Sequence, residues 1–237
     1  MPSTFQIIDR EISYKRKCYI ICTDYDAADC LTRLSTLCDT AFNRGAETVY
    51  FACKDIVHAA FKERIFSAPE HTFKFYCDFF IMTKILPDMS TFQGSLRIKP
   101  LRKSNALLYE ALFNESFYSV PNALTMDTQQ LQHIQNDSSC SAGFLMEGGM
   151  PIGVFELQYD DPIPEIAALA INVDLQGQGY GRRALATLEQ RLRSEGFSCA
   201  KLLVSSLNQR AIRLYCSAGY LQNQHLSRWY QTACMSL

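Results

Sequence analysis

A chain of 237 residues has room for one large domain or two modest ones. Its 23 basic and 24 acidic residues nearly cancel, so the overall charge gives no footprint of binding to nucleic acid or to an anionic membrane. The strongly apolar stretch at 79–82 is far too short to cross a bilayer and reads as a core strand.

Residues 1–90 read as alternating strands and helices. Segments 5–12 and 18–22 have strand character. Residues 27–43 predict an amphipathic helix, with Cys30, Leu31, Leu34, Leu37, Cys38 and Ala41 on one stripe and Gly45 placed to end it. A strand at 48–53 follows, and Asp55 is placed to cap a helix from Ile56 to about Ile65. The aromatic-rich segment 72–86 predicts a long strand or a hairpin. Turn-forming residues from Pro87 to Ser95 mark a linker, which gives two domains, 1–90 and 95–237.

The second domain opens with a strand at 96–100. Ser104 is placed to cap a helix through Phe117, and another helix runs from Met126 or Asp127 to Gln135. Segments 142–147 and 151–158 flank Gly148-Gly149 as a hairpin, and Asp160-Asp161-Pro162-Ile163-Pro164 forms a loop. Then come a strand from Glu165, a glycine-rich turn and a helix, followed by a strand at 199–205. A helix over 208–218, ended by Gly219, and a last strand at 226–232 complete the chain.

The ten cysteines contain no Cys-x-x-Cys pair, so disulfides and zinc are not expected; they read as small buried hydrophobes in a reducing compartment. The first ten residues lack the basic-then-apolar pattern of a signal peptide. The expectation is a soluble, cytoplasmic protein.

The run Gln176-Gly177-Gln178-Gly179-Tyr180-Gly181 is the most informative stretch. It follows the apolar strand 166–171 and precedes a helix whose Leu185, Leu188 and Leu192 recur at helical spacing. A glycine turn between a strand and a helix N-terminus lets several N–H groups converge on a phosphate, and the helix dipole adds to the attraction. Arg182-Arg183 stands where a Walker A loop needs Lys-Ser or Lys-Thr. The spacing is Gly-x-Gly-x-Gly, not the dinucleotide Gly-x-Gly-x-x-Gly. Taken alone, the triplet reads equally well as a tight turn.

The wider context resembles the GNAT N-acetyltransferases. Residues 165–181 are similar to the acetyl-CoA-binding core of that family, and Gln176–Gly181 fits its Gln/Arg-x-x-Gly-x-Gly/Ala signature. Downstream, Asn208, Ala211, Tyr215, Gly219 and Tyr220 resemble its second landmark, Asn-x-x-Ala-x-x-x-Tyr followed by Gly-Phe or Gly-Tyr. The resemblance runs from about Ser95 to the end of the chain. It implies the GNAT acyltransferase fold, an α/β architecture on a mixed sheet. The first region then reads either as a degenerate half-copy that binds no CoA, with Asp24 and Asp26 where a phosphate cradle would stand, or as an unrelated α/β extension.

The same resemblance implies acetyl-CoA as cofactor and direct transfer of acetyl to a primary amine in a ternary complex. Main-chain groups of Leu169, Ile171 and Val173 would pair with the pantetheine arm between splayed strands. Gln176, Gly177, Gln178, Gly179, Tyr180, Gly181 and Arg182 would cradle the pyrophosphate, and Asn208 would bond the pantetheine or simply cap its helix. Glu165 would act as general base, directly or through water, its proton affinity raised by apolar neighbours; otherwise it is a solvated strand-end carboxylate. Tyr215 would protonate the departing sulfur or pack in the core.

On the acceptor side the candidates are Phe113, Phe117, Tyr118, Tyr159, Asp160, Asp161 and Trp229, aromatics and acids suited to a cationic amine. The acceptor stays open between a small molecule and a peptide or lysine. The rival reading is a non-catalytic CoA-sensing or protein-interaction module. In that case residues 1–90 would serve a partner or a homodimer.

Overall fold

The structure, a computed structural model, describes residues 2–53, 61, 63–87, 96–120 and 122–234. The helix expected after Asp55 and the linker expected up to Ser95 fall largely outside the described residues. The chain divides into two compact units. One comprises Met1–Phe80, Ser205–Leu207 and His225–Leu237; the other comprises Ile81–Val204 and Asn208–Gln224.

The first unit contains β1 (Thr4–Ile8), α1 (Glu11–Lys15), β2 (Lys17–Asp24), α2 (Cys30–Asn43), β3 (Thr48–Cys53) and β4 (Ile65–Ala68). It also holds most of β5 (His71–Ile85) and of β11 (Leu221–Ala233), in the order β1-β2-β3-β11-β5 with β4 paired to β5. β2 and β3 run parallel and stay in register from Lys17↔Thr48 to Cys22↔Cys53. Cys30, Leu34, Cys38 and Ala41 of α2 fall on one helical stripe and bury against Ile20, Val49, Phe51 and Phe73. Burial pushes the Cys18 thiol up to about 11 and the Cys22 and Cys38 thiols up to about 12, so these cysteines are packing residues. Cys216 and Cys234, by contrast, are exposed.

Three boundaries differ from the sequence reading. β1 stops at Ile8, because the chain turns at Asp9, whose carbonyl accepts the Ile12 N–H at 3.0 Å, and the short helix α1 takes Ile12. α2 starts at Cys30 rather than Ala27. Asp26 accepts the Ala28 N–H at 2.8 Å, and Ser3 donates its hydroxyl to Asp29 at 2.7 Å, which holds residues 26–29 in a turn. Ile65, the expected end of a helix, instead opens β4.

The second unit contains β6 (Arg97–Pro100), α3 (Ala106–Phe117), α4 (Thr128–Asn136), β7 (Cys140–Glu147), β8 (Met150–Gln158), β9 (Glu165–Ile171), α5 (Tyr180–Ser194), β10 (Cys199–Ser205, apart from its last residue) and α6 (Gln209–Ser217). The strands lie in the order β10-β9-β8-β7-β6. Neighbours from β6 to β9 are antiparallel, and β9 and β10 are parallel. Asp127 caps α4 by accepting the Gln130 N–H at 2.9 Å. Ser104 does not cap α3. It sits inside a 3-10 turn, Lys103–Asn105, that Asn105 closes by accepting the Arg102 N–H at 2.7 Å. β11 begins at Leu221, five residues before the expected start at Leu226.

α5 buries Ala184, Leu185, Leu188 and Leu192 on one stripe. It also buries Glu189, which pairs with Lys84 at 2.7 Å. Burial raises the Glu189 carboxyl while Lys84 and the Tyr220 hydroxyl hold it down. An ion pair this deep adds little net stability, yet removing one partner costs about 3–5 kcal/mol. It therefore fixes α5 in place, and with it the turn at the helix N-terminus.

Candidate active site

β9 ends at Ile171, a 3-10 turn occupies Val173–Leu175, and the glycine run leads into α5 at Tyr180. Gly177 and Gly179 both hold φ at +85°, in the left-handed region that only glycine enters freely. The Arg182 and Arg183 N–H groups turn back to the Gly179 carbonyl at 3.2 and 3.4 Å. Among the described residues, no backbone bond engages the N–H groups of Gly177, Gln178, Gly179, Tyr180 and Gly181. Several donors and the positive end of α5 thus converge on one turn, an arrangement that binds anions.

Glutamine side chains hold that turn in shape. Gln178 donates to the Asp174 carbonyl at 3.2 Å. Gln176 donates to the Ile171 carbonyl at 2.9 Å and accepts from the Arg210 guanidinium on α6. Arg182 donates to the Ser217 hydroxyl at 2.9 Å, and a Cβ on Gly181 would touch Leu214 at 3.3 Å. These contacts join the glycine turn to α6, so the two sequence landmarks meet in space. Arg183 turns instead to Glu147 at 2.9 Å and lies 5.3 Å over the Tyr180 ring.

Asn208 caps α6 by accepting the Ala211 N–H at 3.1 Å. Tyr215, two turns into α6, is half-buried, and burial pushes its hydroxyl up to about 12. Its ring lies 5.9 Å from that of Tyr220.

The backbone of β9 is presented on one side. Asn172 donates its N–H to Ile152 on the β8 side at 2.9 Å, so by strand alternation the N–H groups of Leu169 and Ile171 point the other way, toward β10. On that side β9 and β10 share the single register pair Lys201↔Glu165, with Lys201 donating its N–H to the Pro164 carbonyl at 2.9 Å. The two strands meet at the Glu165 end and are not paired at Leu169 or Ile171. Val173 lies in the 3-10 turn beyond the strand, and its carbonyl accepts the Gln176 N–H at 3.2 Å.

Glu165 is half-buried at the start of β9. Desolvation raises its carboxyl above the ordinary value; Lys201 opposes the rise, and Asp161 and Glu156 add to it. Lys201 itself is ion-paired to Asp161. Glu165 and Tyr215 stand on different elements and share no hydrogen bond, ion pair or ring contact among the described residues.

The acceptor-side residues do not gather into one group. The Phe113 and Phe117 rings lie 4.5 Å apart and tilted by 34°, Tyr118 is 75% exposed, and Tyr159 donates to Glu195 at 2.8 Å. Trp229 belongs to the other unit. Sequence reading missed Glu156, Gln158, Lys201 and Arg210. Of these, Glu156 left a trace: it is an acid inside the apolar run 152–157.

Residues 107–220 match the family model described as the acetyltransferase (GNAT) family. No curated protein matches the chain. Among solved structures, a GCN5-related N-acetyltransferase from Sphaerobacter thermophilus is similar over 98% of this chain and 76% of its own, at 14% identity and a TM-score of 0.66. A GCN5-related N-acetyltransferase from Kribbella flavida is similar over 93% of this chain and 82% of its own, at 14% identity and a TM-score of 0.58. A tandem GNAT protein from the clavulanic acid biosynthesis pathway covers 92% of this chain and 76% of its own, at 14% identity and a TM-score of 0.58. At such identities the likeness is one of fold. The class is that of a mixed α/β fold like theirs, and within it residues 107–220 are similar to the GNAT acetyltransferase family. Among the described residues, no helix is long and apolar enough to cross a membrane.

Proposed function

We propose that the chain is an acetyl-CoA-dependent N-acetyltransferase acting on a primary amine, with its machinery in residues 95–237. Residues 1–90 are a degenerate half-copy that takes no cofactor. The observation that carries this reading is the glycine turn with free N–H groups, placed at the end of a strand whose Leu169 and Ile171 N–H groups face the parallel neighbour without pairing to it.

Acetyl-CoA, when bound, supplies acetyl as an activated thioester. The N–H groups from Gly177 to Gly181, with Arg182 beside them, would hold the pyrophosphate. The unpaired backbone of Leu169 and Ile171 would offer hydrogen bonds to the pantetheine arm. Glu165 takes the proton from the attacking amine, and its burial suits it to that task near neutral pH. Tyr215, with its hydroxyl held up to about 12, keeps its proton through neutral pH and gives it to the leaving sulfur.

Calorimetric titration with acetyl-CoA, with free CoA as comparison, tests the reading first. Saturable binding followed by acetylation of a panel of primary amines supports it; no heat at millimolar cofactor overturns it. Tyr215→Phe is expected to lower kcat by about 10²-fold, the low end for a general acid, because a thiol is already an acidic leaving group. Cofactor affinity should stay within about twofold of the parent, and an unchanged kcat removes Tyr215 from the chemistry.

A further inference from the structure

β8 buries every residue from Ile152 to Leu157, and within that run stands Glu156, only 9% exposed. Gln158 donates its amide to Glu156 at 3.1 Å, so the two side chains share a face, as residues two apart on a strand must. Gln158 also stands directly opposite Glu165 on β9. Cross-strand partners project to the same side, which places Glu156, Gln158 and Glu165 in one row on one face of the sheet.

That shared face depends on one residue. The β8–β9 ladder pairs Glu156 with Ala168 and then Leu157 with Ile166, leaving Ala167 as a bulge. In an unbulged ladder Gln158 would oppose Ile166, and Glu165 would project from the other side of the sheet. The bulge thus sets a second carboxyl beside the one assigned as base.

We propose that Glu156 is a positioning residue for Glu165: its carboxylate, held by the Gln158 amide and the Cys140 thiol, is a fixed negative charge that strengthens the hold of Glu165 on the proton taken from the amine. This rests on the reading of Glu165 as the base. The proton leaves the amine nitrogen, its N–H bond breaks, and an O–H bond forms on Glu165.

The groups facing each carboxyl are few. Toward Glu156 stand the Cys140 thiol of β7, His133 of α4 and the Tyr109 ring of α3, whose hydroxyl donates to the Phe155 carbonyl at 3.1 Å. Toward Glu165 stand Lys201 of β10, Asp161 of the preceding loop and Glu156 itself. Burial raises the Glu156 carboxyl, while Gln158, Cys140 and His133 favour its charged form.

The test is a carbon-13 NMR titration of the glutamate carboxyls, which needs neither cofactor nor amine. In Glu156→Gln the Glu165 midpoint should fall by about one pH unit, the effect of removing a like charge on a nearby diagonal. Glu156→Asp, which keeps the charge, should restore most of it. An unmoved midpoint in folded Glu156→Gln overturns the proposal. Should that variant not fold, Glu165→Gln leaves Glu156 in place. There the proposal requires Glu156 to ionise below the parent midpoint of Glu165, and a Glu156 still protonated at pH 7 overturns it. Coupled carboxyls without acetyl transfer would sink the function and not the pair; uncoupled carboxyls with normal turnover would do the reverse.

Discussion

Replacing Glu165 with Gln is expected to lower kcat for amine acetylation by about 10²–10⁴-fold, the usual worth of a positioned general base. The amide is isosteric but cannot take a proton, so acetyl-CoA affinity should be unchanged by calorimetry. A base must be ionised to act, and burial lifts this carboxyl above its ordinary range. Activity of the parent chain should therefore rise with pH along an acid limb set above that range. Lys201 limits how far the limb moves, because its charge favours the ionised form. Retained turnover in Glu165→Gln would assign the proton to another acceptor. Intact cofactor binding with turnover abolished would rule out a module that only senses CoA.

Replacing Gly177 and Gly179 together with Val should cut acetyl-CoA affinity by about 10²–10³-fold. A β-branched residue held at the +85° these positions adopt is strained by roughly 1–2 kcal/mol each, so the turn must rebuild. Its N–H groups then no longer converge. Two lost charge-assisted bonds, each worth about 1.5–2 kcal/mol, account for the predicted fall. Circular dichroism should show the helices retained, since α5 is anchored by its buried stripe and by the Lys84–Glu189 pair rather than by the turn. Parent-like affinity in the folded variant would place the phosphates elsewhere.

The parts of the fold legible in sequence were those with local causes. The stripe of α2, the Asn208 cap and the glycine turn are each written in residues close in the chain. What escaped depends on distant partners. The start of α2 is set by Ser3, more than twenty residues away; the turn at Asp9 that takes Ile12 is local, but the strand-like residues around it conceal it. Within the candidate site, the start of β9 at Glu165 could be read directly. The bulge at Ala167 could not, because a one-residue slip in pairing leaves no mark among small apolar residues such as Ala167 and Ala168. Arg210 was invisible for another reason: its partner Gln176 is distant in the chain, and only folding brings α6 to it.

The two parallel strand pairs carry opposite consequences for anything long and thin. β9 and β10 touch at one rung and then part, whereas β2 and β3 are laced together from Lys17↔Thr48 to Cys22↔Cys53. To slip an arm between β2 and β3 would first break several backbone bonds, each worth about 1 kcal/mol net. It would also unpack Cys22, Cys30 and Leu34, which lie fully buried beneath that seam. Among the described residues there is thus one sleeve and one closed seam, and on the proposed reading the expected calorimetric stoichiometry is one acetyl-CoA per chain.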